Sequence, residues 1–114
     1  MKNKYRNKKT EIDGIRFDSM REAVRFRELK LLELTGEIIH LELQPKFDIV
    51  PSVKWNGKTL RKRVYVADFK YYEAQTGRFV VEDVKSKITA VNPVYTLKRQ
   101  LFLNQYPEYI FREL

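Results

Sequence analysis

At 114 residues, 43% hydrophobic and with a net charge of +8, the chain is sized for one globular domain and has no room for a second module. It has no cysteine and a single histidine, His40, which excludes a disulfide scaffold, a cysteine-built zinc finger and a histidine-cluster metal site; any metal must be held by oxygen. No apolar run approaches the roughly eighteen residues of a membrane span, and the first residues lack the apolar stretch of a secretory signal, so a soluble cytoplasmic protein with no membrane partner is expected.

In chain order, residues 1–10 read as a flexible basic arm ahead of a single domain over residues 11–114. The arm carries Lys2, Lys4, Arg6, Lys8 and Lys9 and no acid. A short extended piece over 11–17 follows, with a turn at Asp13-Gly14. Residues 18–34 place Met20, Ala23, Val24, Phe26, Leu31 and Leu34 at roughly helical spacing, and Gly36 stands where a helix ends, so an amphipathic helix with these residues inward is predicted. Ile38, Ile39, Leu41 and Leu43 form a strand closed by Gln44-Pro45. A second strand covers 47–53, and Asn56-Gly57 marks the next turn.

Residues 63–72, rich in Val, Tyr and Phe, form the first half of a central hairpin. Gln75-Thr76-Gly77 turns the chain, and 79–85 returns. A helix from Asn92-Pro93 to about 104 is expected to turn Val94, Leu97, Leu101 and Phe102 inward, and Pro107 precedes a last strand over 109–111. The order of helix, strands, helix and strand predicts an α/β domain, a mixed sheet flanked by helices.

The charge surplus is local. Lys58, Arg61, Lys62 and Arg63 form a second basic cluster; without them and the five at the start, the remaining 14 basic residues nearly balance 15 acids. Concentrated charge of this kind suits a polyanion such as DNA, and a phosphate-directed surface takes RNA as readily. Trp55 beside this cluster is either a base-stacking or a packing residue.

The hairpin carries the chemistry. Side chains two apart on a strand share a face, so Asp83 and Lys85 lie with Phe79 and Val81, where a charged pair is costly without a partner or a function. A register pairing Asp68 with Asp83 brings two carboxylates together, which repel unless a cation lies between them. Magnesium, for which manganese substitutes, takes one or two carboxylates and fills its other positions with water and phosphate oxygens. A one-residue slip instead sets Glu82 opposite Asp68. Lys85 then stands where an ammonium orients or deprotonates water, or stabilises charge on a phosphorane. The pattern predicts metal-dependent phosphodiester hydrolysis, with Asp68, Asp83 and Lys85 at its centre. Lys87, Thr89, Lys98 and Arg99, just past the site strand, are further phosphate contacts or a solvated face. Gln44 either ends its strand or approaches metal-bound water, and Glu82, facing away from Asp83, is an outer-face or salt-bridged residue with at most an accessory role.

Asp68 followed by Asp83-Val84-Lys85 resembles the PD-(D/E)xK nuclease signature, with Ala67-Asp68 in place of Pro-Asp. Together with Phe17, Ser19, Glu22-Ala23, Gln44-Pro45 and Thr89, it is similar to small phage-encoded proteins of the Holliday junction resolvase-like branch, over residues 10–112. The resemblance implies a restriction-endonuclease-like αβββαβ core and a catalytic acid on the first helix, matched by Glu22. Glu22 also closes a Ser19-x-x-Glu22 capping box, and both roles stay open. The implied activity is cleavage of branched DNA, four-way junctions first, by a homodimer whose two-fold axis matches that of the junction. Flap, fork or DNA-end nucleases, and an inactive nucleic-acid-binding module, are the alternatives. The implied setting is the cytoplasm of a bacterial host during phage recombination or replication.

Overall fold

The computed structural model describes residues 10–12 and 14–114. The basic stretch expected at the start lies outside the described residues except for Thr10, as does Asp13. Strands β1 (Thr10–Ile12) and β2 (Ile15–Phe17) pair antiparallel across a turn in which Gly14 has φ +76°, a conformation favouring glycine.

Helix α1 (Met20–Leu34) begins where Ser19 Oγ accepts from the Glu22 N–H at 3.1 Å. It ends in a Schellman turn, with Gly36 at φ +81°, Gly36 N–H donating to Glu33 O and Glu37 N–H to Leu32 O. Its buried side is Glu22, Ala23, Phe26 and Leu29. Met20, Val24, Leu31 and Leu34, expected inward, are exposed. At about 100° per residue, Met20, Val24 and Leu31 fall roughly opposite Phe26, so two apolar stripes exist and the one built around the aromatic residue packs.

Four strands form the main sheet: β3 (Ile38–Leu43), β8 (Phe69–Glu73), β9 (Arg78–Asp83) and β10 (Ile110–Glu113), in the order β10-β9-β8-β3. β10 runs parallel to β9, and the other pairs are antiparallel, giving the expected mixed sheet. Neighbouring residues of β9 point to opposite sides. Val80 packs with Phe26, Leu29, Phe69 and Tyr71 beneath α1, while Val81 packs with Phe47, Tyr65, Ala67 and Phe102 beneath α3 (Pro93–Gln105).

Between β3 and β8 the chain leaves the sheet as a ribbon, β4 (Lys46–Val50) paired with β7 (Arg63–Val66), tipped by a hairpin of β5 (Val53–Trp55) and β6 (Lys58–Leu60). Asn56 and Gly57 both have positive φ, +54° and +74°, as a two-residue primed turn requires. The single strand expected over 63–72 is therefore two. The break lies at Ala67-Asp68, level with Gln44-Pro45 on the partner, where Pro45 has no N–H to give the ladder and Gln44 has φ +50°. Two bonds span the junction: Gln44 N–H to Asp68 O at 2.9 Å and Ala67 N–H to Pro45 O at 3.1 Å. The strand expected over 47–53 likewise divides into β4 and β5. A short helix, α2 (Lys87–Ala90), was not expected.

Helix α3 is capped by Asn92 Oδ1, which accepts from Val94 and Tyr95 N–H. It buries Phe102, and Tyr95, Leu101 and Tyr106 pack partly against the same core. Val94 and Leu97, expected inward, are 63% and 60% exposed. The helix is turned so that Tyr95, Lys98 and Arg99 share the inner side with Phe102, whose ring meets Phe47 at 4.7 Å and Tyr65 at 5.2 Å. Phe102→Ala should therefore cost about 3–5 kcal/mol in urea denaturation, whereas Leu97→Ala should stay within about 0.5 kcal/mol.

Candidate active site at the end of the central hairpin

The β8–β9 register sets Phe69 opposite Glu82, and its continuation brings Asp68 level with Asp83. Beyond Phe69 the ladder shifts: Asp68 N–H donates to Glu82 O at 3.0 Å, and the Asp68 side chain takes over an acceptor's place, with Oδ2 2.7 Å from the Val84 N–H. The strand break thus aims the Asp68 carboxylate at the exit of β9.

Asp83 is fully buried. Its Oδ2 accepts a short hydrogen bond from the Tyr65 hydroxyl, delivered by β7. Lys85 Nζ stands 2.7 Å from Oδ1, yet outside hydrogen-bond alignment. Oδ1 is therefore the one buried side-chain oxygen or nitrogen among the described residues with no hydrogen-bond partner. The Lys85 ammonium also lies 4.8 Å from the Tyr95 ring centre, and its backbone is pinned by Lys85 N–H to Leu114 O and by Arg21 Nη1 to Lys85 O at 3.0 Å.

Glu22 reaches the same region from α1. It is 7% exposed and lines, with Asp68, Gln44, Phe17 and Leu43, a cavity of about 120 Å³. Only one half of a capping box forms: Ser19 Oγ caps the Glu22 N–H, while the Glu22 carboxyl lies beside Asp68. Burial raises its pKa, an effect offset in part by its contact with Asp68. Asp68 is pushed up to about 8, first by burial and then by the charge of Asp83, against the lowering effect of the Val84 N–H. The hydroxyl of Tyr65 is pushed up by burial and by Asp83, so it remains a donor.

Other sequence candidates divide. Glu82 faces the α1 side, opposite Asp83, and is salt-bridged but not on an outer face: it is fully buried, held by Arg25 Nε at 2.8 Å, Arg25 Nη2 at 2.6 Å and the Tyr71 hydroxyl. Gln44 both ends β3 and lines the cavity. Lys98 borders a second hollow with Lys85, Tyr65 and Asn92, close to the site. Arg99 is engaged by Glu113 at 2.7 Å. Thr89 is tied into the α2 cap, its Oγ1 donating to Ser86 O, and Lys87 is exposed on the same turn. Lys58, Arg61, Lys62 and Arg63 lie away from these acids, at the hairpin and its root; Lys62 leans to Asp48 at 3.4 Å. Tyr65 and Arg25 escaped sequence reasoning. Tyr65 is one of several strand aromatics, and nothing local ties it to a residue eighteen positions away.

Only oxygen ligands converge here, which suits a hard cation, and Asp83 Oδ1, ion-paired to Lys85 but without a hydrogen bond, lies beside Asp68, where a cation would ease the burial of both carboxyls. Among the described residues no group of three or more His, Cys, Asp or Glu side chains stands ready to hold a metal ion. The fit is to an ion carried by two carboxylates, with water and substrate completing its shell. The fold and site describe a mixed-sheet α/β domain with an acid pair and a lysine at one strand end. The chain belongs to the family described as "Protein of unknown function (DUF1064)", which matches residues 2–113. No curated protein and no solved structure matches it. No helix of the described residues is long and apolar enough to cross a membrane.

Two outcomes follow from burial. Arg25→Ala leaves a carboxylate without its counterion and should cost on the order of 3 kcal/mol in chemical denaturation. Asp68 carries its proton in the folded protein up to about pH 8 but only to its ordinary 3.8 when unfolded, so its contribution to stability is complete below about pH 4 and is lost as pH rises through 8. In chelator, melting temperature should fall across that interval for the wild type and markedly less for Asp68→Asn, whose side-chain carbonyl still accepts from Val84.

Proposed function

We infer that the protein is a divalent-metal-dependent DNA endonuclease of PD-(D/E)xK type, acting on branched DNA. The observation that carries the reading is the Asp68–Asp83 pair with its unsatisfied buried oxygen, set beside the Lys85 ammonium at the end of a hairpin. The order α1, β3, β8, β9, α3, β10 also follows the helix, three strands, helix, strand sequence implied by the resemblance.

Asp68 and Asp83 are the residues that would hold magnesium or manganese, with Glu22 reaching it through water. When bound, the ion supplies Lewis acidity to a phosphate oxygen. Lys85, stacked against Tyr95 and anchored through its backbone, is placed to meet the scissile phosphate and stabilise the charge that gathers as water attacks phosphorus. Glu22, whose burial raises its proton affinity, is suited to take a proton from that water. The new oxygen–phosphorus bond forms as the bridging bond breaks, and the departing oxygen collects a proton from solvent. Lys98 supports the phosphate from the α3 side.

A two-fold dimer with one such site per subunit would nick both strands of a four-way junction symmetrically. A nucleic-acid binder without chemistry is the second reading, favoured by the position of Lys85 on the very oxygen a cation needs.

Incubation of synthetic four-way junction, flap, linear duplex and single strand with magnesium ranks the substrates. Cleavage of the junction should require the metal and fall on the order of 100-fold or more in Asp68→Asn, Asp83→Ala and Lys85→Ala. Asp83→Ala indistinguishable from wild type would eliminate the nuclease. Glu22→Ala that folds normally but does not cleave places Glu22 in the site; lower stability with cleavage intact makes it a cap. Calorimetry on the binder reading shows no magnesium uptake that depends on Asp68.

A further inference from the structure

We propose that the β5–β6 hairpin is a reader of unpaired nucleic-acid bases, with Trp55 as its stacking platform and Lys58, Arg61 and Arg63 as its phosphate contacts. The proposal deepens the reading above and rests on it for the kind of polymer bound, but not on metal or cleavage.

Every residue from Val50 to Arg63 is exposed, and none belongs to either core cluster. Trp55 is 63% exposed at the end of β5, beside the Asn56-Gly57 turn and opposite Lys58. A tryptophan there contributes nothing to the packing beneath either helix, and leaving it in water forgoes a large burial gain. The backbone beneath it is well specified, because three residue pairs and a primed turn fix the ribbon. The chain therefore holds an aromatic face out in solvent on an ordered mount.

The surrounding charge is of one sign. Between Asp48 and Asp68 there is no acid, while Lys54, Lys58, Arg61, Lys62 and Arg63 all fall in that interval. Lys54 donates to Thr59 Oγ1 at 2.6 Å and Lys62 leans to Asp48; Lys58, Arg61 and Arg63 have no side-chain partner among the described residues. Cations that track a backbone, beside an aromatic face on which a base stacks, are the chemistry of single-strand binding. An intact duplex hides its base faces, so a ribbon entering its major groove would meet base edges and leave the indole face unused. Such a hairpin favours DNA in which bases are splayed, as at a branch point. β7 leads from its root to Tyr65, which holds Asp83.

Trp55 is the sole tryptophan, so its emission reports the hairpin alone. The full chain is titrated in chelator with oligothymidylate, with blunt duplex, with heparin as a base-free polyanion, and with phosphatidylserine vesicles. Oligothymidylate should quench the emission strongly, and duplex and heparin only weakly at saturation. Followed by the anisotropy of dye-labelled oligothymidylate, since these variants hold no tryptophan, Trp55→Ala with an unchanged melting temperature should bind about 5- to 150-fold more weakly, and Trp55→Phe should retain most of the affinity. Lys58→Ala should reduce the slope of log affinity against log salt by about 0.7. Emission unmoved at saturation, equal quenching by heparin or duplex, or a blue shift with vesicles overturns the proposal. No cleavage is read, so loss of the nuclease leaves this result standing, and loss of the Trp55 effect leaves cleavage standing.

Discussion

The hydrogen bond from the Val84 N–H to Asp68 Oδ2 is the contact on which the site depends. It exists because the long ribbon breaks at one level on both of its strands, where Pro45 withholds a donor and Asp68 turns its side chain into the space a ladder carbonyl would fill. That single bond holds a carboxyl beside another that is completely buried, and burial first, then the charge of Asp83, raises the proton affinity of Asp68. To Asp83 itself the protein supplies one neutral donor, Tyr65, and one ammonium, Lys85, which hold it in place while Oδ1 accepts no hydrogen bond.

The two faces of the sheet treat acids in opposite ways. Beneath α1, Glu82 is fully compensated by a forked guanidinium and a hydroxyl, with Arg112 supporting that hydroxyl from β10 at 3.3 Å. Arg112 in turn holds Glu73, and that carboxyl sits below its usual range because of the contact. On the α3 side, Asp83 is left one oxygen short. A buried ion pair with its oxygens hydrogen-bonded is architecture; one left short of a hydrogen bond beside a second carboxyl is the feature on which the proposed metal site rests.

Much of this was legible in the residues. The β-rich runs on either side of Gln75-Thr76-Gly77 mark the hairpin, but residues alone leave Asp68 opposite either Asp83 or Glu82; the register Phe69↔Glu82, continued by one step, brings Asp68 level with Asp83. Gln44-Pro45 marked the end of β3 correctly, but its effect on the opposite strand, dividing the expected 63–72 run, needed the partner to be known. The inward faces of both helices were misjudged for a shared reason: counting apolar residues treats Val94, Leu97, Met20 and Val24 as equal to Phe102 and Phe26, whereas the rings determine the rotation. Tyr65 and Arg25, which hold the two buried acids, make contacts 18 and 57 residues distant in sequence, and such contacts leave no periodic trace.

Glu82 and Asp83 are neighbours, differ by one methylene, and serve opposite faces. Which acid faces Arg25 and which faces Lys85 is decided by parity alone, and that parity is metered by the exposed turn over residues 74–77, where Gly77 at φ +67° closes the loop onto Glu73 O at 2.9 Å. Deleting one residue there would shift the return strand by a single step, handing the guanidinium to the shorter acid and stranding the longer one among aromatic rings. The turn touches neither acid, yet it sets the reading frame of the whole centre, and its length is constrained far more tightly than its exposure to water suggests.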